Sequence, residues 1–126
     1  MPFEELPDAV RRLIAERIDS VSELEAILLL REDPRRSWTP EQAGQRLYVS
    51  TAVAAYILSA LTGRGFFSTD GEHWRYDPAS PELAADVGLL AAAYSRSLIA
   101  VTRAIHAKPN ASIREFADAF RLRKKD

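Results

Sequence analysis

Histidine, cysteine, serine and glycine are the residues whose spacing most often reveals catalytic or metal chemistry, and this sequence places none of them in a catalytic pattern. Its two histidines, His73 and His106, form no HExxH or HxH pair, and there is no cysteine to supply a thiolate. The five glycines build neither a GxGxxG nor a GxxxxGKS/T phosphate-binding loop, and no GxSxG motif presents a nucleophilic serine. We therefore expect no enzymatic activity, no catalytic residue, no cofactor and no bound metal.

A different chemistry, attraction of a polyanion, depends on clusters of lysine and arginine. The chain of 126 residues has a formal net charge of −1, but its charges are unevenly distributed. Residues 35–76 contain five bases and three acids, and residues 108–126 contain six bases and three acids, whereas residues 1–34 are acidic. Both basic blocks are compatible with a nucleic-acid partner and equally compatible with solvated helix surfaces.

The composition is typical of a globular domain, with 47% hydrophobic and 28% charged residues. The N-terminal residues are acidic and lack the apolar core of a secretory signal. The longest nearly apolar stretch, residues 87–94, is far shorter than the ~20 residues of a membrane span. These features, with the absence of cysteine, lead us to expect a cytoplasmic protein that does not contact a membrane.

Helix signals dominate the elements that must position any site. Capping residues and apolar spacing predict helices that begin after Pro7, Ser20, Thr39 and Ser50. We expect these four helices to end at Asp19, at Asp33-Pro34, near Leu47 and at Gly63-Arg64-Gly65. Ser20 with Glu23, and Thr39 with Gln42, have the spacing of capping boxes.

One region is typical of β structure. The aromatic segments 66–69 and 73–76 flank Asp70-Gly71-Glu72, and Asp-Gly at this place favours a hairpin turn because glycine accepts a positive φ. From Pro81 to about Ala107, apolar residues at steps of three and four predict one long helix. Pro109-Asn110 should end it, and Ser112 with Glu115 should cap a last amphipathic helix.

Residues 47–67, LYVSTAVAAYILSALTGRGFF, resemble the turn and recognition helix of bacterial winged helix-turn-helix regulators of the MarR, ArsR and Lrp kinds. The preceding TPEQAGQRL resembles the second helix of those proteins, and SELEAILLLRE resembles the first. The resemblance implies a mainly α winged helix-turn-helix fold in which a two-stranded hairpin is the wing. We expect an N-terminal helix in residues 1–19, the winged domain in residues 20–78 and a C-terminal helical, dimerising segment in residues 79–126.

The resemblance also implies a small DNA-binding transcriptional regulator whose third helix enters the major groove of double-stranded DNA. The core face of that helix should contain Ala54, Ile57, Leu58 and Leu61. The candidate contacts to DNA on the third helix, in the loop and helix before it and on the wing are Arg35, Arg36, Gln42, Gln45, Arg46, Ser50, Thr51, Ala52, Ala55, Tyr56, Ser59, His73 and Arg75. For each side chain in the loop, second helix and wing, a solvated surface position is the alternative. Trp74 and Tyr76 are interpreted as core-facing anchors of the hairpin, and Trp38 as packed under the second helix.

The third helix departs from the pattern of those families, because no charged residue lies between Arg46 and Arg64. Such a helix gains little from phosphate attraction, although small residues can contact thymine methyl groups and Tyr56 can bond a phosphate. An alternative function is therefore a winged-helix module that binds another protein and has lost base readout.

The apolar stripe of the last long helix suggests self-association. Its residues are Leu83, Val87, Leu90, Tyr94, Leu98, Val101 and Ile105, and the neighbouring flank is also apolar or small. We expect this stripe to form the interface of a two-fold homodimer, since an isologous dimer matches the symmetry of a DNA operator. The alternative is that the first and last helices cover the stripe within one chain.

Overall fold

The computed structural model describes residues 6–108, which form six helices and two short strands. The helices are α1 (Asp8–Arg17), α2 (Val21–Glu32), α3 (Pro40–Leu47), α4 (Thr51–Gly63), α5 (Pro81–Arg96) and α6 (Leu98–Ala107). The strands β1 (Phe67–Thr69) and β2 (Trp74–Tyr76) form an antiparallel pair between α4 and α5. The prediction of a mainly helical fold with one small antiparallel sheet is confirmed.

Local capping chemistry begins and ends the central helices. Thr39 and Gln42 form the predicted capping box, and the Ser50 hydroxyl accepts the Val53 N–H. Ser20 caps α2 as predicted, but the Glu23 carboxylate accepts the N–H of Asp19 instead of that of Ser20. At the end of α4, the Phe66 N–H donates to the Leu61 carbonyl, and Gly65 adopts a φ of +96°, which is the glycine-terminated end of a Schellman motif.

The buried side chains form one continuous hydrophobic core. Every described helix except α3 contributes large side chains to it, and α3 contributes the buried Ala43. Trp38 and Phe66 are among the largest fully buried side chains. Trp38 lies in the segment before α3, and its backbone exchanges two hydrogen bonds of 2.8 Å with Trp74 of β2. This bridge attaches the loop between α2 and α3 to the hairpin.

Charged side chains join the ends of α1, α2 and α4. Arg64 contacts the carboxylate of Glu23 at 2.7 Å and that of Asp19 at 3.3 Å, and its guanidinium also donates to the Arg17 carbonyl. Lys108 lies 3.1 Å from Asp19 and donates to the carbonyl oxygens of three residues at the end of α1, namely Ile14, Ala15 and Ile18. These contacts satisfy carbonyl groups that a helix end leaves without partners.

The prediction of one continuous helix from Pro81 to about Ala107 is wrong. The helix breaks at Ser97, whose φ and ψ are −139° and 61°, and α6 turns from α5 by 115°. The Ser97 N–H donates to the Ala93 carbonyl and its own carbonyl accepts the Val101 N–H, so this residue ends one helix and begins the next. The bend lets both helices pack against α1, which a straight helix could not do.

The stripe predicted as a dimer interface is therefore mostly internal. Five of its residues are buried within the single chain, namely Leu83, Val87, Leu90, Val101 and Ile105. α1 covers both parts of the stripe, as the single-chain alternative supposed. Tyr94 is half-buried, and Leu98 is exposed because it lies at the bend. These five side chains were predicted to form the dimer interface, but they are buried within the chain and cannot contact a partner.

Two further sequence predictions concern residues outside the described range. The last amphipathic helix, with its cap at Ser112, falls in residues 109–126, and the acidic N-terminus falls in residues 1–5. Among residues 6–108, no single helix is long and apolar enough to cross a membrane, and only the bent pair α5–α6 reaches that length and composition jointly.

Candidate nucleic-acid interface

The corner between α3 and α4 is tight and is built by backbone contacts. The Val49 N–H donates to the Gly44 carbonyl at 3.0 Å, and a Cβ at Gly44 would lie only 2.8 Å from the Val49 carbonyl oxygen. Tyr48 ends α3 in the left-handed conformation, with a φ of 60°, and reverses the chain. α4 therefore leaves α3 at a fixed angle and presents its outer face to solvent.

The exposed face of α4 is small and uncharged. The predicted core side chains, Ala54, Ile57, Leu58 and Leu61, are all buried. The face opposite them contains Thr51, Ala52, Tyr56 and Ser59, which are exposed, while Ala55 is half-buried. Val53, which was not predicted as a surface residue, is 46% exposed and Tyr56 is 59% exposed. This face offers a tyrosine, two hydroxyl groups and methyl groups to a partner.

The N-terminus of α4 adds a positive helix-dipole end to this face. The Ser50 hydroxyl oxygen already accepts one of the free N–H groups there, so Ser50 has a structural role as the cap. No acidic or basic side chain lies in the first turn of α4.

Two of the predicted arginines converge on Trp38. The guanidinium carbon of Arg36 lies 3.6 Å from the centroid of the Trp38 ring, and that of Arg46 lies 5.6 Å from it. Stacking on a buried indole holds a guanidinium plane in place while its edge can still donate hydrogen bonds. Arg35 is exposed beside this stack, and it has no ion pair among residues 6–108.

The two glutamines on α3 are both exposed, but their roles differ. The Gln42 side-chain oxygen accepts the Thr39 N–H in the capping box, which fixes the orientation of the amide. Gln45 makes no such capping contact within residues 6–108, and it is exposed, as is Arg46. Gln42 is therefore a capping residue, and only its amide NH₂ group is left to contact a ligand.

The hairpin turn is held by side-chain acceptors. The Asp70 carboxylate accepts the backbone N–H groups of Glu72 and His73, each at 2.8 Å, and these bonds hold the pKa of Asp70 below its ordinary value. His73 lies 3.6 Å from the same carboxylate, so a protonated His73 is partly neutralised. Gly71 adopts a φ of +100°, as the sequence predicted for the turn.

A polar groove of about 310 Å³ lies along the hairpin and brings two of the predicted wing residues together. His73 and Arg75 line it with Ser37 from the loop before α3, so the Trp38–Trp74 bridge places both segments on one surface. Asp70 and Asp77 also line the groove and reduce its positive potential. Arg75 is exposed, and its cross-strand neighbour is Ser68.

The aromatic residues of β2 face the core, as expected. Trp74 and Tyr76 are half-buried and pack against the hydrophobic core, and burial raises the pKa of the Tyr76 phenol, with Arg31 opposing that shift. The buried indole Nε1 atoms of Trp38 and Trp74 have no hydrogen-bond partner among the described residues. Trp38 is 2% exposed, which agrees with its predicted packed position.

Sequence reasoning missed Tyr48, which at 94% exposure is the most exposed large hydrophobic side chain of residues 6–108. A tyrosine in the left-handed conformation has no local signal, because glycine and asparagine are the usual residues there. The ionic contacts of Arg64 and Lys108 were missed as well, since they join segments more than 40 residues apart.

No group of three or more His, Asp or Glu side chains within residues 6–108 is placed to hold a metal ion. Comparison of the chain with protein-family models, with curated proteins and with solved structures gives no match.

Proposed function

We propose that residues 20–78 are a winged helix-turn-helix domain and that the protein is a non-catalytic transcriptional regulator that binds double-stranded DNA. The observation that carries the proposal is the order and exposure of α3, the tight corner, α4 and the hairpin. α4 presents its N-terminal half to solvent, and the hairpin follows it as a wing would.

In this proposal α4 fits into the groove of the DNA, and the surrounding arginines attract the phosphates. Ala52 and Thr51 allow the helix backbone to approach base edges closely, and Tyr56 contacts a phosphate or a base. Arg35 and Arg36 lie in the loop before α3, and Arg75 is on the wing, so in this proposal they contact phosphates on either side of α4. Arg36 differs from the other two in that its guanidinium carbon lies 3.6 Å from the centroid of the Trp38 ring.

The test is a mobility-shift titration of the gene's own upstream DNA over a salt series. Arg35→Ala, Arg36→Ala and Arg75→Ala should each weaken binding to all sequences and reduce the log–log salt slope by about one for each lost phosphate contact. Tyr56→Ala should alter sequence preference. Arg103→Ala, which removes an exposed arginine of α6, is the matched control and should leave affinity and slope unchanged.

The proposal fails if wild-type protein shifts no DNA at low salt, or if all three arginine variants keep the wild-type affinity and slope. Far-UV circular dichroism and thermal melting of Arg36→Ala must match wild type, because this variant also removes the stack on Trp38.

A second candidate function is recognition of another protein through the face of α4. Val53 and Tyr56 are exposed on a helix that has no charge, and tyrosine is enriched at protein interfaces. Ala52→Arg separates the two functions, since it replaces a small exposed side chain at the start of α4 by a long one. If α4 enters a DNA groove, the long side chain prevents the close approach that Ala52 allows, so the sequence-specific affinity for DNA should fall; if α4 covers an apolar protein surface, DNA binding should not respond.

A further inference from the structure

An apolar groove of about 440 Å³ opens on the side of the molecule formed by α2 and the ends of α3 and α5. Its floor is made of Leu28 and Leu29 from α2, Leu47 from α3 and Tyr94 from α5. These side chains are partly buried and pack on the core, yet their outer surfaces face the groove. Within residues 6–108 nothing covers them.

Exposed apolar side chains lie next to this groove. Tyr48 lines it and is 94% exposed, and Ser95 of α5 forms its edge. Two residues beyond Ser95 the chain bends at Ser97, and the first residues of α6, Leu98 and Ile99, are 54% and 65% exposed. The bend therefore creates a projecting apolar corner beside a recessed apolar groove.

Charges of both signs border this surface. Glu25 and Glu32 line the groove on the α2 side, and Arg46 lines it on the α3 side. Burial raises the pKa of the Tyr94 phenol, and the nearby charge of Glu25 raises it further, so Glu25 lies close to the groove floor. Arg96 is exposed at the end of α5 beside the projecting corner. Neither glutamate nor Arg96 has an ion pair among residues 6–108.

We propose that this surface binds a second copy of the chain, with the Leu98–Ile99 corner of one protomer in the groove of its partner and Arg96 of one protomer facing Glu25 and Glu32 of the other. In a two-fold interface the same patch meets itself, so it must contain both halves of every contact. This patch does so, since it has a projection and a recess as well as two cations, Arg46 and Arg96, and two anions. It also replaces the buried stripe of α5 and α6, which α1 already covers.

Light scattering of the full chain over a concentration series provides the first test. The mass should rise from the 14.1 kDa of a single chain toward twice that value. Arg96→Glu places a third acid among Glu25 and Glu32, and Glu25→Lys/Glu32→Lys places two cations opposite Arg96. Each variant should raise the dimer dissociation constant about tenfold or more, because like charges across an interface are strongly unfavourable.

Mixing the two variants gives the decisive result. In a dimer of one Arg96→Glu chain and one Glu25→Lys/Glu32→Lys chain, both symmetry-related contacts again join opposite charges, so an equimolar mixture should recover association. Glu72→Lys in the hairpin turn and Arg12→Glu on α1 reverse exposed charges away from this surface and are the controls. The proposal is overturned by a wild-type mass of 14.1 kDa at every concentration, which includes the case of a groove covered by the chain's own residues. It is also overturned by single variants that associate normally, or by a mixture that does not recover. The readout does not depend on DNA.

Discussion

The corner between α3 and α4 depends on a single residue without a side chain. An added Cβ at Gly44 would meet two backbone oxygens, that of Val49 at 2.8 Å and that of Ser50 at 3.3 Å. Because these atoms belong to the turn itself, they cannot rotate away as the end of a flexible side chain would. Gly44→Ala must therefore open the corner and change the angle at which α4 is presented.

We expect Gly44→Ala to lower the free energy of unfolding by about 1–3 kcal/mol, the usual effect of overpacking, as measured by urea denaturation. Gly63→Ala is the matched control, since a Cβ there meets nothing within 4 Å and alanine favours a helix. The control should equal or exceed wild type in stability. Equal midpoints for Gly44→Ala and wild type would show that the corner is looser than the contacts indicate.

Sequence reasoning is most accurate where one residue acts on its immediate neighbours. Thr39 with Gln42, and Ser50, were predicted as caps because the hydroxyl and the N–H that it accepts are three residues apart. The left-handed Tyr48 and the close approach at Gly44 were not predicted, because they follow from how two helices cross. The contacts of Arg36 and Arg46 with the Trp38 ring were not predicted either, because they too follow from how separate segments pack together.

Among the elements, the hairpin has a glycine with a positive φ in its turn. Gly71 has a φ of +100°, but a Cβ there would meet nothing, so only backbone strain opposes a larger residue. We expect Gly71→Val to cost about 1–3 kcal/mol of such strain and to reduce hydrogen-exchange protection of the β1 and β2 amides while the helices persist.

Glu72→Val is the control for this prediction. It places the same β-branched side chain at the next exposed position, whose φ is not positive. Protection in the hairpin should be close to wild type in the control. If Gly71→Val retained full protection of both strands, positive φ would not be what holds the turn.

The break at Ser97 shows why the spacing of apolar residues predicted one long helix where the chain forms two. Apolar residues on both sides of the break keep helical spacing, and no proline or glycine marks the interruption. The break is favoured by tertiary burial, because α1 can cover Leu83–Leu90 and Val101–Ile105 only when the second helix turns back. A one-dimensional pattern does not contain that preference, whereas the hairpin, with its local Asp-Gly signal, was predicted correctly.

At the scale of the whole molecule, a half-buried arginine connects three helices. Arg64 follows α4 and pairs with Glu23 of α2, which is 6% exposed. Its guanidinium donates to the Arg17 carbonyl of α1, and the Arg17 guanidinium donates to the Arg64 carbonyl. Removing this cation leaves the Glu23 carboxylate buried without a counter-charge. We expect Arg64→Met to lower the free energy of unfolding by about 3 kcal/mol, the lower end for a broken buried pair, because Arg64 is partly exposed.

A double-mutant cycle measures this coupling. Glu23→Gln removes the charge but keeps an acceptor for the Asp19 N–H, so Arg64→Met/Glu23→Gln should recover part of the loss. Arg35→Met, at an exposed arginine outside any ion pair of the described residues, should change stability little. Strictly additive effects of the two substitutions would show that Glu23 and Arg64 do not interact energetically.

The bend at Ser97 also bears on the order in which the chain becomes folded as it is synthesised. Lys108 donates to the carbonyl oxygens of Ile14 and Ala15, more than ninety residues earlier in the chain. A ribosome adds about 5–20 residues per second, so α1 waits for seconds before its cover is made. During that interval α2, α3, α4 and the hairpin can bury their apolar faces on one another, whereas α5 and α6, the helices with which α1 makes most of its contacts, have yet to emerge. Of the described helices, α1 is thus the one whose apolar face stays exposed longest on the growing chain.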